Sequence, residues 1–249
     1  FAQMNYALQE MTTTIGHTFP KSSSWPNVAW SGFYPAATLL GKMAQLDNII
    51  FSPIVLPEQL PSYHTFIADY YANEPYILKP VYHGPGLSVG EVWALDFKTL
   101  TQYSDTTGIT PFSANQLITP AAQATFSDVL GEFILAYNVH SDPRFVRSID
   151  AVIACAESHN FSSVAAMKCG AVTDAVQVPQ PNQFEPNPVV VDYQALLTHP
   201  IFPAGNTSHL AGFVEGAMGW KGLLAKVVPT YVTGLDCVIR SRSQVFTYT

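Results

Sequence analysis

Carboxylates are scarce in the segments of this chain that alternate like strands, which makes Asp96, Asp192 and Glu215 conspicuous. Asp96 lies near the end of "EVWALDF", where a strand end could carry it into a pocket, with Tyr82, Trp93 and Tyr103 close by in sequence. Glu215, in "GFVEGAM", shares an alternating face with Phe213 and Ala217. An apolar cavity with a few well-placed polar groups is how small-molecule sites are built, so Tyr82, Trp93, Asp96, Tyr103 and Glu215 are the ligand-binding candidates. The competing explanation is plainer: an aromatic core, with carboxylates that cap elements or face water.

Catalytic patterns are missing. The chain has no Gly-x-Ser-x-Gly elbow, no His-Glu-x-x-His and no Cys-x-x-Cys, so no catalytic set, resident metal or cofactor is expected. His140 with Asp142, and Glu157 with His159, are spaced so that each pair could share a metal. Two-residue matches are common by chance, so they read as surface polar pairs. Glycines 212, 216, 219 and 222 invite a phosphate-loop reading, but Lys221 is followed by Gly222 and Leu223 with no Ser or Thr to hold magnesium. They fit better as strand glycines that let the following helix sit close.

Bulk properties narrow the partners. Lys and Arg total 11 against 18 Asp and Glu, for a net charge of -7 over 249 residues with no basic cluster, which excludes a nucleic-acid footprint. Hydrophobic residues make up 48% and charged residues 12%, so glycans or partner contacts are expected to keep the surface wet. Asn160-Phe161-Ser162 and Asn206-Thr207-Ser208 are glycosylation sequons. Cys155 and Cys169 could close a loop in an oxidising compartment, leaving Cys237 as a buried thiol on an alternating segment; the alternative is three free cysteines and chance sequons. No apolar run approaches the roughly 20 residues of a membrane-spanning helix. The sequence starts at Phe1 rather than Met, so a signal peptide or membrane span is expected outside it.

The elements that must position these residues can be read from periodicity. Met4, Leu8, Met11 and Ile15 form one stripe of a first helix, expected to stop near Gly16. "YPAATLLGKMAQLDN" reads as a second helix, and "NIIFSPIVL" as a strand broken by its proline or lying at a sheet edge. A third helix runs from Pro57 to about Asn73, through Leu60, Tyr63, Ile67, Tyr70 and Tyr71. "YILKPVYHG" and "EVWALDF" are strand-like. The middle is read as mostly helical, on the stripes Phe126, Val129, Leu130, Phe133, Ile134, Tyr137 and Phe145, Val146, Ile149, Ile153. "VPQPNQFEPNP" is an extended connector. "VVVDYQALL" and "LAGFVEGAM" are strands, Trp220, Leu223, Leu224, Val227 and Val228 a buried helix face stopped by Pro229, and "GLDCVIR" with "QVFTYT" a hairpin. Helices against antiparallel strands make an α+β fold.

These segments, in this order, resemble the CHASE-type (PAS/Cache-like) extracellular sensor domain, particularly the version on receptor-type nucleotide cyclases of unicellular algae. The residues that carry the likeness are Trp25, Pro26 and Phe33; Phe51, Pro53 and Val55 with Tyr63 and Phe66; and Trp220, Cys237, Phe246, Thr247 and Tyr248. They cover about half the chain, with no match between roughly 100 and 185. "PEQLPSY" also lacks the Arg of the family's Glu-Arg element. The resemblance implies an N-terminal helix and linker over 1–24, a membrane-distal PAS-like subdomain over 25–178 that binds a small molecule, a Pro-rich connector over 179–188, and an incomplete proximal subdomain over 189–249. It further implies a homodimer through the N-terminal helix, placement on the extracellular face of the plasma membrane through segments outside this chain, and signalling to an intracellular output domain. The alternative is an extracellular structural or assembly glycoprotein that uses such a fold as a scaffold.

Overall fold

The computed structural model describes residues 2–75, 77, 87–96, 101–109, 113, 115–125, 134–143, 145–161, 165–173, 176–179, 190–204, 206, 208–228, 231–232, 234, 236–240 and 245–248. Helix α1 spans Ala2–Thr18, two residues past the expected stop at Gly16, and buries Met4, Ala7, Leu8, Met11 and Ile15. Helix α2 (Phe33–Ala44) ends at Gln45, whose φ of 60° and backbone N–H to Gly41 close the last turn. Strand β1 (Asn48–Pro53) follows, then α3 (Leu60–Asn73), which buries Leu60, Tyr63, Ile67 and Tyr71. Strands β2 (Trp93–Asp96) and β3 (Thr101–Ser104) form a hairpin, and β4 is the two-residue Gln123–Ala124. Helix α4 (Val146–Ser158) precedes β5 (Ala171–Val172), β6 (Val176–Pro179) and the long β7 (Val190–Ile201). Strand β8 (Gly212–Gly219), helix α5 (Trp220–Val227) and the hairpin β9 (Cys237–Arg240) and β10 (Val245–Tyr248) complete the described chain.

The main sheet is antiparallel, in the order β4-β1-β8-β7-β5, with β6 also paired to β7. Successive side chains of a strand point to opposite faces, and two neighbours on β7 show what covers each face. His199 reaches Asn5 of α1, Nε2 to Oδ1 3.1 Å, whereas Thr198 meets Ser148 of α4, Oγ1 to Oγ 2.9 Å. Helices α1 and α4 therefore cover opposite faces. On the α1 face Gly216 is hemmed in: a Cβ there would lie 3.0 Å from Leu8 and Leu46. The helix that this glycine admits is α1, far away in sequence, and not the α5 that follows it.

Other expectations change at the same places. Strand β1 lies inside the sheet between β4 and β8 with all six residues buried, because Pro53 sits at its last position, where the ladder can end without the missing N–H. The middle is less helical than its apolar spacing suggests. Phe126, Val129, Leu130 and Phe133 lie outside the described residues, but 134–138 is turn-like, with bridges from Tyr137 to Trp93 and from Asn138 to Pro120, and only the single 3-10 turn Val139–Ser141 follows. On α5, Trp220, Leu223 and Leu224 are only half-buried, and Val227 is outside the described side chains.

The division at 179–188 also needs correction. Strand β1, from the expected distal unit, pairs with β8 over six residues, and β8 pairs with β7 over eight. One sheet thus takes strands from both sides of the connector, and 190–219 cannot be a separate unit. The break in the fold comes later, after α5, where β9 and β10 pair only with each other among the described strands. The protein is α+β, with an N-terminal helix and antiparallel sheets.

Candidate functional site

Glu215 is the most unusual side chain of the sheet. It is opposite Ile50 on one side and Thr198 on the other, which puts it on the α4 face, and it is 0% exposed. Its Oε2 accepts from Ser52 Oγ at 3.2 Å, while Oε1 has no partner among the described residues. Burial pushes its pKa up to about 8, with the Ser52 hydroxyl and its own backbone pulling weakly the other way. The carboxyl is therefore mostly neutral at pH 7, since a lone buried carboxylate would be costly to desolvate.

Polar neighbours share this face by the alternation of the strands. Ser52, Thr198 and Ser148 are all buried, and Gln194, four residues from Thr198 on β7, has its Oε1 unpartnered among the described residues. Apolar Ile50, Phe213 and Leu196 lie between them. A neutral acid, an amide and hydroxyls on an apolar floor can take a group that donates hydrogen bonds, and a cation would also draw the proton off Glu215.

The other expected ligand residues lie elsewhere. A chain of backbone hydrogen bonds leads away from β1: Ala122 donates to Phe51, Ala136 to Ala121, and Trp93 to Ala136. Strand β2 is thus four steps from β8, on the order of 19 Å along the sheet. Trp93 is buried, donates from Nε1 to the Leu135 carbonyl at 2.9 Å, and packs on Tyr137 with ring centroids 4.7 Å apart. It anchors the hairpin. Asp96 is half-buried at the hairpin end opposite Thr101, and Tyr103 is 44% exposed, its phenol pKa raised by burial and then by Asp105 and Asp96. The structure does not bring these residues together with Glu215. Tyr82 lies outside the described residues, as does the side chain of Asp192.

Of the two expected surface pairs, Glu157 and His159 are exposed, whereas the other differs from expectation. His140 and Asp142 are fully buried rather than at the surface, and they do not pair with each other: His140 Nε2 meets Asp150 Oδ1 at 3.0 Å, and Tyr137 donates to Asp142 at 3.0 Å. Burial alone would raise the Asp150 pKa, but hydrogen bonds from Asn115, His140 and Ser113 outweigh it and hold the carboxylate low. Among the described residues no nucleophile is placed against the histidine. A water-sized cavity of about 20 Å³ beside α1, lined by Thr12, His17, Met167 and Phe202, is too small for a metabolite.

Cys155 and Cys169 form a disulfide, Cα to Cα 5.7 Å. Cys237 is half-buried, more accessible than its alternating segment suggests. Asn160 is exposed at the end of α4, with φ 53°, and Asn206 is half-buried in a turn; Ser162 and Thr207 of their sequons lie outside the described residues. No described helix is long and apolar enough to cross a membrane.

No protein-family model matches this chain, and no curated protein does. Among solved structures, one titled "Methyl-accepting Chemotaxis protein X" aligns at 10% identity with a TM-score of 0.37, over 94% of this chain and 62% of that one. A superposition this loose carries no argument about either fold or activity. The chain spans 62% of that protein's length.

Proposed function

We propose that this chain is a ligand-sensing domain without catalytic activity of its own, and that it holds a small amine against the α4 face of its main sheet, with Glu215 as the polar anchor. The observation that carries this is the fully buried carboxyl with an oxygen unpartnered among the described residues. Buried polar groups in native proteins are nearly always paired, and one that is not needs an explanation. A ligand ammonium would donate to that oxygen and turn the neutral acid into an ion pair. The sequence likeness to CHASE-type domains supports the same reading, as does the long helix laid on an antiparallel sheet. In this reading the domain faces the cell exterior and passes its occupancy to an output domain beyond this chain. Such transmission requires that the ligand bind one arrangement of the receptor more tightly than another.

Thermal melts against a panel of amino acids, polyamines and aryl amines test the proposal. A compound at about 100 times its Kd adds roughly 2.7 kcal/mol, a rise of about 5 to 10 °C for a chain of this size. The expected result is such a rise for the wild type, its loss in Glu215→Gln, and its retention in Asp96→Asn and Tyr103→Phe. Equal rises in wild type and Glu215→Gln would remove Glu215 from the site.

A further inference from the structure

The end of α4 places three metal-ligand atoms together. Cys155 and His159 stand four residues apart, so their side chains lie on one side of the helix end. Cys169 follows the short turn Ala166–Lys168 and is 2% exposed. The two sulfurs and an imidazole nitrogen of His159 all lie within 4.8 Å of one another. In a tetrahedral zinc site, with bonds of about 2.3 Å to sulfur and 2.0 Å to nitrogen, neighbouring ligand atoms are roughly 3.5 to 3.8 Å apart. Once the disulfide opens, the two cysteine side chains and the exposed His159 ring can rotate toward that spacing. The negative end of the α4 dipole points at the same spot and favours a cation.

We propose that Cys155, His159 and Cys169 form a three-ligand zinc site whenever their disulfide is reduced, with the fourth position open to solvent. The disulfide and the metal are alternative occupants, since cysteine binds zinc as its thiolate and not as a disulfide. A dithiol reductant gives two electrons and two protons to the Cys155–Cys169 bond and leaves as its own disulfide. Zinc then displaces the two thiol protons. In the reverse direction a more oxidising disulfide takes two electrons from the thiolates, the sulfur–sulfur bond reforms, and the metal leaves. An oxidising compartment therefore keeps the staple, and a reducing one makes the site. The inference is independent of any ligand at Glu215.

Cobalt(II) titration of the chain, reduced with a phosphine and then desalted without oxygen, tests it. Binding of one equivalent is expected, with a thiolate-to-cobalt charge-transfer band that zinc bleaches. His159→Ala should weaken binding by at least about tenfold, and the oxidised chain should show no band. Binding unchanged in His159→Ala, no thiolate band, or an equal response from the oxidised chain would each overturn the proposal. Circular dichroism is recorded throughout. If reduction unfolds the chain, zinc must restore the helical signal in wild type but not in Cys155→Ser/Cys169→Ser, and failure to restore it also overturns the proposal.

Discussion

At the scale of single residues, Glu215 and His199 make opposite demands on pH. The pKa of Glu215 is raised from 4.5 to about 8, so the folded state holds a proton that the unfolded chain has released. Its contribution is fully present below 4.5 and is lost as pH rises through 8, on the order of 5 kcal/mol at about 1.4 kcal/mol per unit. His199 is lowered by burial from 6.5 to about 4, so its contribution is present above 6.5 and lost as pH falls toward 4. Between pH 6.5 and 8 Glu215 alone of the two still titrates. The melting temperature is expected to fall by about 3 to 6 °C across that window, and Glu215→Gln should flatten the fall. An unchanged slope in the variant would mean that Glu215 is not the group responsible. Glu215 was legible in the sequence as a rare carboxylate on a strand face, but its neighbours Ser52, Thr198 and Ser148 were not. They come from three elements up to 163 residues apart from it, and only the strand register and the packing of α4 on the sheet join them. The Cys155–His159 spacing was readable, yet it carried no meaning until the fold brought Cys169 beside it.

At the scale of elements, local periodicity was a good guide wherever one helix or strand packs one face. Helices α1, α3 and α4 follow their apolar stripes, and β7 and β8 their alternation. It misled where an apolar run is buried on both sides, as around Tyr137, since such a run suits a bridged extended segment as well as a helix. The glycines of "GFVEGAMGWKG" divide in the same way. Gly216 receives α1, whereas a Cβ at Gly222 would meet nothing within 4 Å. Gly216→Val is expected to cost about 1 to 3 kcal/mol by pushing α1 from the sheet. Gly222→Ala in α5 should be neutral or stabilise by up to about 1 kcal/mol. Chemical denaturation of both variants checks the pair, and a harmless Gly216→Val would refute the close approach of α1.

At the scale of the whole molecule, the sheet links segments that sequence composition separates. A Pro-rich stretch looks like a boundary from its residues alone, yet the chain passes it and returns to the centre of the same sheet. A fragment of residues 1–178 lacks β7 and β8 and is expected not to fold, whereas 1–228 keeps every strand of the main sheet and should melt cooperatively. A cooperative transition in the shorter fragment would restore the earlier boundary. The same closure uses the Met/Leu/Ile stripe of α1 inside the protein. Two copies meeting through this helix would have to use its other side, where Tyr6 is 66% exposed. Proton counting is the most direct test of the proposed ligand face around Glu215. Isothermal titration of a stabilising amine at pH 7 in phosphate and in Tris reads the protons released on binding. An ammonium that ionises Glu215 should release about 0.9 proton per ligand from a group with a pKa of about 8, and none in Glu215→Gln. Binding with no proton release from the wild type would contradict the assignment of Glu215 as the anchor.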